Sequence, residues 1–455
     1  MSSSLFDVVN PSNESQISQV VRNTPEQTSR AIERSTSAFA SWKLVPPSQR
    51  AALLRNFSET VRSHVKELAD IEVANSGHTI SNAIWEANNV ADVLAYYSGS
   101  VERLGGREIP VAQGIDITFK EPIGPVGIIV PWNFPMPIAS WGFGPALAAG
   151  CTVVLKPAEV TPLTAIRLGE LALEAGIPED VFQVVTGSGS DVGETMVLDR
   201  AIRKIVFTGS SAVGSRIQRL AADQIKRVTL ELGGKSANII FDDADLDKAA
   251  ASAPSSVFDN AGQDCCARSR LLVQESIYDK FMERFEEAVK GVRVEDPSLE
   301  TSQMGPLITA SHRESVRSYV DESLVLFKGS APEGPGFWYP PTVIGGIDPS
   351  HRLFREEIFG PVVTVTKFKD EQEAIALAND SDYGLSGSIW TSNLGRGLRV
   401  ARGVQSGNLS VNSHSSVRYS TPFGGYKMSG LGRELGPDAP DSFCEVKNVF
   451  ISTEI

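Results

Sequence analysis

Two hydrophobic periods alternate along this chain. Between residues 25 and 70, Ala31, Ile32, Phe39, Ala40 and Trp42, and then Leu53, Leu54, Phe57, Val61 and Val65, recur at three- and four-residue spacing. That spacing predicts two amphipathic helices, and a third is predicted over 79–98. From about residue 124 the pattern changes to short, continuous apolar runs at 126–130, 152–155, 182–185, 205–207 and 237–241, rich in Ile and Val. Helical stretches such as 163–175 and 213–222 separate them. Strands covered on both faces by crossover helices read this way, so the region is predicted to be a doubly wound α/β sheet, which places ligands at the carboxyl ends of its strands. A second α/β pattern begins near 245, with strands predicted over 269–274, 361–368 and 386–391 and helices over 276–291, 310–320 and 370–380. The two lobes meet near 233. Residues 109–122 and 444–453 alternate apolar and polar with period two. They are predicted as exposed strands that pair with each other, project, and present edges to another subunit.

Composition narrows the classes that this pattern serves. A chain of 455 residues has room for about three domains. Its net charge of -13, with no compact run of Lys and Arg, argues against nucleic acid or an anionic membrane surface as a partner. The N-terminal stretch lacks a basic segment followed by an apolar one, and no segment approaches the ~18 uninterrupted apolar residues of a spanning helix, so a cytoplasmic protein is expected. The four cysteines, Cys151, Cys265, Cys266 and Cys444, show no C-x-x-C or zinc spacing, and the five histidines are scattered, so no metal site is expected. A G-x-S-x-G nucleophile elbow is absent as well.

Candidate chemistry concentrates in four segments. In FDNAGQDCCARSR, residues 258–270, a cysteine follows a Gly-Gln turn, where a thiol can be exposed and deprotonated; a buried structural pair of cysteines fits the same residues. In GPVGIIVPWNFP, 124–135, a strand runs into Asn133 between Trp132, Phe134 and two prolines. An amide held that rigidly is a preorganised donor for a developing oxyanion, or simply a satisfied buried amide in a rigid turn. In VTLELGGKSAN, 228–238, Glu231 stands among apolar residues, where a carboxylate is costly unless it is used, and its natural role is general base. Gly233 and Gly234 let backbone approach a ligand closely, as they would also serve a strand-end turn. GSSAVG, 209–214, follows a strand and can set helix N-terminal amides on a phosphate, although it is neither a P-loop nor a strict G-x-G-x-x-G.

Taken together, these residues resemble the aldehyde dehydrogenase superfamily, in its NAD-dependent, hydrolytic branch. The resemblance spans essentially the whole chain, through PWNFP at 131–135, LKPAE at 155–159, FTGS at 207–210, LELGGKS at 230–236, GQDCCA at 262–267, EEIFGPV at 356–362 and PFGGYKMSGLGRELG at 422–436. It implies two doubly wound α/β lobes and a small β oligomerisation arm: an NAD-binding domain over 1–103 and 123–233, a catalytic domain over 234–436, and bridging strands over 104–122 and 437–455. It implies Cys265 as nucleophile, Glu231 as general base and Asn133 in the oxyanion hole. For the cofactor, NAD, it implies Lys156 and Glu159 at the adenosine ribose, Ser210 with Gly209 at the pyrophosphate, and Glu357 and Phe359 at the nicotinamide ribose and ring. Val130, Pro131, Trp132, Leu232 and Gly233 complete that site. A homodimer or homotetramer is the assembly implied.

Departures from the family pattern bear on mechanism and substrate. Many hydrolytic members carry a Lys where this chain has Gly142, thought to pass the base's proton outward with a Glu that matches Glu434, so the proton exit differs here. Trp141 stands near where succinate semialdehyde enzymes place an Arg, which argues against that substrate. Glu231 argues against a thioacylating, coenzyme A-dependent member, and Cys265, Glu231 and Asn133 together argue against a catalytically silent relative. For substrate, either a generalist pocket or one for a charged aldehyde, γ-glutamyl-linked or amino, is expected. In the second, Arg418 receives an anionic end and Asp259 an ammonium, with Met136, Trp141 and Phe258 as the apolar neck around the carbonyl.

Overall fold

The computed structural model describes residues 4–415 and 417–454. Residues 1–3 and Ile455, at the ends of the expected NAD-binding and bridging spans, and Ser416 in the loop carrying Arg418, lie outside the described residues.

The N-terminal region forms three helices over 25–76 rather than two: Pro25–Trp42, Pro47–Ser63 and Val65–Ser76. Thr24 starts the first with a reciprocal cap, its backbone N–H donating to Gln27 Oε1 at 2.8 Å while its hydroxyl accepts from the Gln27 N–H. The second and third are separated only by His64, whose Nδ1 lies 2.8 Å from the Thr60 carbonyl. A one-residue break leaves the apolar period nearly in phase, so no gap shows in the pattern. The helix Ile80–Ser98 follows as expected.

Six strands form the first sheet, in the order Gly430–Leu431, Arg227–Glu231, Lys204–Thr208, Val126–Ile129, Val153–Lys156 and Phe182–Val184. All pair in parallel except Gly430–Leu431. Two elements here depart from the hydrophobic pattern. Arg227–Glu231 is a strand whose alternating Arg227, Thr229 and Glu231 break the apolar run that marks its neighbours. Pro135–Ala149 is a helix in which every residue is buried; a helix apolar all round shows no amphipathic stripe to mark it in the sequence.

The second sheet has seven strands, in the order Val325–Lys328, Thr342–Ile344, Val362–Phe368, Arg270–Gln274, Ala237–Ile240, Ser386–Trp390 and Asn408–Val411. The apolar run at 237–241, which continues the series of the first lobe, opens this sheet instead. Both sheets are covered on two faces, as doubly wound sheets require. The two alternating segments pair with each other: Cys444–Ser452 runs antiparallel to Gly114–Pro122 over nine residue pairs, and Glu108–Val111 completes a three-stranded sheet. Among the described residues no helix is long and apolar enough to cross a membrane.

Candidate active site

The chain reaches Cys265 through an unusual turn. After the helix Leu246–Phe258 and Asp259, three consecutive residues, Asn260 (φ 49°), Ala261 (φ 54°) and Gly262 (φ 71°), take the left-handed conformation. The two non-glycine residues cost roughly 1–2 kcal/mol each, and a web of side chains holds them. Asn260 Nδ2 donates to the Asn133 carbonyl at 2.8 Å, Gln263 Nε2 donates to the Asn260 carbonyl at 3.0 Å, and Gln263 Oε1 accepts from the Ile308 N–H at 2.9 Å. Gly262 is required: a Cβ there would stand 2.1 Å from the Gly360 carbonyl oxygen. Beyond the turn, Cys265 is half-buried and Cys266 buried.

Two cavities meet at Cys265. One, of about 260 Å³, is lined by Pro131, Trp132, Asn133, Thr208, Gly209, Ser210, Glu231, Leu232, Gly233, Glu357 and Phe359 as well as Cys265. The other, of about 370 Å³, has Asn82, Trp85, Phe134, Trp141, Asp259, Asp264, Cys266, Arg268, His414 and Phe423 among its walls. Cys266 faces only the second, so Cys265 is the thiol of the pair common to both.

Asn133 follows the strand Val126–Ile129 and is buried, its Nδ2 donating to the Gln263 carbonyl at 3.0 Å. An amide nitrogen carries two hydrogens, so one remains for a ligand. Glu231 ends the strand Arg227–Glu231, buried, with neither carboxylate oxygen hydrogen-bonded. Burial, then the charge of Glu434, pushes its carboxyl well above the ordinary range. Glu434 is itself raised to about 8 by burial. The Cys266 thiol hydrogen-bonded to Cys265, together with burial, holds the Cys265 thiol well above its usual value. Both groups are thus shifted toward their protonated forms.

The residues expected at the cofactor divide between the cavity and its approaches. Pro131, Trp132, Gly209, Ser210, Leu232, Gly233, Glu357 and Phe359 line it; Val130 is buried behind it. Ser210 caps the helix Ser211–Ala222, whose N-terminal amides favour an anion. Glu357 accepts from the Gly234 N–H at 2.8 Å, and a Cβ on Gly233 would stand 2.3 Å from its other oxygen. Trp132 and Phe359 meet edge to face at 5.3 Å. Lys156 and Glu159 stand outside the enclosed cavity, at the carboxyl end of the strand Val153–Lys156. Lys156 Nζ donates to the Pro157 carbonyl at 3.0 Å, and Glu159 is paired with Arg22 at 2.9 Å.

On the substrate side three expectations are corrected. Arg418 is exposed and outside the cavity, its guanidinium 3.4 Å from the Ser415 carbonyl, because the loop turns its side chain to solvent. Met136 is fully buried, on a helix with no exposed face, and does not line the cavity. Phe258 points into the core of the second lobe. Trp141 and Asp259 do line it, Trp141 donating to Asn89 Oδ1 at 3.2 Å and Asp259 accepting from Asn82 Nδ2 at 2.5 Å. The basic residue in this wall is Arg268, which donates to the Cys266 and His414 carbonyls and to Ser388 Oγ. Asp264 stands beside Cys265 and accepts from the Cys266 N–H at 2.8 Å. Both flank the cysteine in the sequence, and two charges next to a reactive thiol are the available signal; Phe423 lies in the quoted segment 422–436, whereas Asn82 and Trp85 carry none. Gly142 faces the first sheet, where a Cβ would meet Ile128 at 3.1 Å.

Residues 1–449 match the aldehyde dehydrogenase family, and the chain belongs to it. It is 40% identical over 452 residues to an aldehyde dehydrogenase of Emericella nidulans, covering 98% of this chain and 91% of that protein. It is 37% identical over 460 residues to a betaine aldehyde dehydrogenase of Bacillus subtilis, covering 98% and 94%. A betaine aldehyde dehydrogenase of Staphylococcus aureus, solved in complex with NAD+, superposes with a TM-score of 0.96 at 37% identity over 99% of this chain and 92% of that one.

Proposed function

We propose that the chain oxidises an aldehyde to the carboxylic acid with NAD, through a thioester on Cys265 that is hydrolysed by water activated at Glu231. The observation that carries this reading is the position of Cys265 between two cavities, with Asn133 and Glu231 in the wall of one. That cavity suits NAD by its donor set: helix N-terminal amides at Ser210 for a pyrophosphate, the Glu357 carboxylate for a ribose, and the Trp132–Phe359 pair for a flat ring. Lys156 and Glu159, outside it, would hold the far ribose. Residues 4–103 and 123–233, joined by the returning strand Gly430–Leu431, form the cofactor lobe, and the sheet from Ala237–Ile240 to Asn408–Val411 with its helices the catalytic lobe. The exposed Ile115, Phe119, Val446, Phe450 and Ile451 of the three-stranded sheet are the apolar contacts of a homodimer or homotetramer.

Chemistry starts from a protonated thiol. As the Cys265 sulfur bonds to the aldehyde carbon, the thiol proton passes to solvent water and negative charge develops on the aldehyde oxygen. The second N–H of Asn133 and the Cys265 backbone N–H are the donors for that oxygen, and losing one such donor typically costs roughly 3 kcal/mol of transition-state stabilisation. NAD, when bound, supplies the acceptor for the hydride from that carbon, which leaves the thioester. Hydrolysis then needs a base. Ionised Glu231 takes a proton from water as the water oxygen bonds to the thioester carbon; the carbon–sulfur bond breaks and the sulfur recovers that proton from Glu231. The raised pKa makes Glu231 a stronger base once ionised, at the expense of its ionised fraction near neutral pH.

A charged substrate is favoured by the second cavity. Asp259 and Asp264 stand in a wall shared with Trp85, Phe134, Trp141 and Phe423, an arrangement that suits an ammonium through charge and ring faces. With Arg418 outside and Arg268 engaged by carbonyls, the observations favour an amino or quaternary ammonium aldehyde over an anionic one. Steady-state rates with NAD for betaine aldehyde, an ω-aminoaldehyde, propanal and a carboxylate-bearing aldehyde test both levels. No NADH formation from any of them contradicts the reaction class; equal kcat/KM across the four contradicts the cationic preference.

A further inference from the structure

Beside Phe134 the fold gathers three buried side chains that the chemistry above does not use. Glu72 lies on the helix Val65–Ser76, His78 follows that helix, and Glu86 lies on Ile80–Ser98. Glu72 and Glu86 are 0% exposed and His78 2%, and the His78 ring meets Phe134 edge on at 5.3 Å. One ring nitrogen of His78 and one carboxylate oxygen of each glutamate lie within 4.8 Å of one another. His78 Nδ1 is hydrogen-bonded to Glu86 Oε1. The other acceptors are idle: Glu86 Oε2 and both oxygens of Glu72 are buried with no hydrogen-bond partner. Among the described residues no Lys or Arg pairs with either carboxylate, and the one ion pair of the group is His78 with Glu86.

We propose that Glu72, His78 and Glu86 bind a divalent first-row transition cation, of which zinc is the type, and that this cation joins the two helices behind the substrate wall. Buried polar atoms are nearly always partnered, and buried charges are paired or coordinate metals. The His78 hydrogen bond satisfies one carboxylate oxygen of the four, whereas a cation takes an oxygen of each glutamate at once. Two carboxylates and a neutral imidazole carry a charge that a divalent cation cancels; without one, the interior holds the charges unbalanced. Ligand atoms bound to zinc at about 2.0–2.2 Å stand no more than about 4 Å apart. Groups already within 4.8 Å therefore close on one ion by small side-chain rotations, which open the His78–Glu86 contact.

The donor set narrows the ion. Calcium takes oxygen ligands and magnesium keeps several waters, while thiophilic ions want sulfur; imidazole with carboxylate suits zinc and its neighbours. No metal-ligand spacing marks these residues in the sequence, because the backbone brings them together. Gly77 (φ 78°) ends the first helix in the left-handed conformation one residue before His78. A Cβ there would stand 2.8 Å from Pro306, so the turn between the helices is tightly held. The helix that carries Glu86 also carries Asn82 and Trp85, which line the second cavity, and the bound cation would pin that wall.

Metal content reads the site independently of turnover. Wild-type protein refolded with zinc and gel-filtered through chelator is expected to keep about one zinc per chain by elemental mass spectrometry. X-ray absorption at the zinc edge is expected to show nitrogen and oxygen neighbours and no sulfur. No retained zinc overturns the proposal. So does a sulfur shell, which assigns the ion to Asp264, Cys265 and Cys266, whose ligand atoms also stand within 4.8 Å of one another. Because wild-type protein is measured, neither outcome depends on a variant folding. Glu72→Gln is expected to lose the zinc and a Cys265→Ser, Cys266→Ser double variant to keep it; the reverse overturns the assignment. Wild-type protein refolded without zinc is expected to melt about 5 °C lower or more, with the loss restored by added zinc. An equal Tm with and without zinc contradicts a cation joining the helices.

Discussion

The two cavities that meet at Cys265 are built by different means. The cofactor side is made of strand ends and the turns that leave them: Pro131 to Asn133, Thr208 to Ser210 and Glu231 to Gly233 are each continuous, and close backbone approaches set their shape. A Cβ on Gly209 would stand 2.6 Å from the Phe207 ring, and one on Gly233 2.3 Å from Glu357. The substrate side gathers side chains from the helices Ile80–Ser98 and Pro135–Ala149, the cysteine loop and the stretch around His414 and Phe423. Backbone shape tolerates little change, whereas a wall of single side chains from remote segments changes one residue at a time. On the proposed reading, cofactor use is written into the fold and aldehyde preference into replaceable positions.

The largest effect should fall where the two sides join. Cys265→Ala is expected to lose turnover by a thousandfold or more with the KD for NAD unchanged, while Cys266→Ala, facing only the substrate cavity, retains most activity. Substantial turnover in the first variant, measured by NADH formation, breaks the junction. Next comes Glu231→Gln, expected to slow turnover about a hundredfold yet leave the first release of NADH. Since the base works only when ionised and its carboxyl is raised, wild-type kcat is expected to climb as pH rises through that raised value. Loss of this climb in Glu231→Gln, with aldehyde saturating, checks the sign; the same climb in the variant assigns it to another group.

How much of this was legible follows the same division. Continuous segments such as 207–210, 230–236 and 262–267 hold the turns and the cysteine that meet at the first cavity, and their resemblance to the family's segments is what points to one site. The substrate wall depends on where the all-apolar helix Pro135–Ala149 turns its faces, and on Asn82 and Trp85, which adjoin the site only through the fold. Met136 and Trp141 show the difficulty: both are on that helix, and one faces the cavity while the other faces the core. Arg418 neighbours the cavity only along the chain, and its loop places the long side chain in solvent.

Two smaller effects sharpen the contrast. Gly233→Ala should force Glu357 aside, away from the Gly234 N–H, and raise KM for NAD about tenfold without changing relative rates among aldehydes. Asp259→Asn should lower kcat/KM for betaine aldehyde or an ω-aminoaldehyde about fivefold, ~1 kcal/mol, and leave propanal unchanged; equal losses on both would assign Asp259 to holding Asn82 rather than to the substrate. Smallest of all, Arg418→Ala should leave KM for a carboxylate-bearing aldehyde within error, and a rise of tenfold would return that arginine to the cavity.

The central claim is the thioester on Cys265, and one measurement meets it directly. Glu231→Gln is mixed with NAD and propanal, quenched in acid after the first release of NADH, and digested for mass spectrometry. The account predicts about one NADH per chain and a propionyl increment on Cys265. An NADH burst with Cys265 unmodified, or with the acyl group on Cys266, contradicts it.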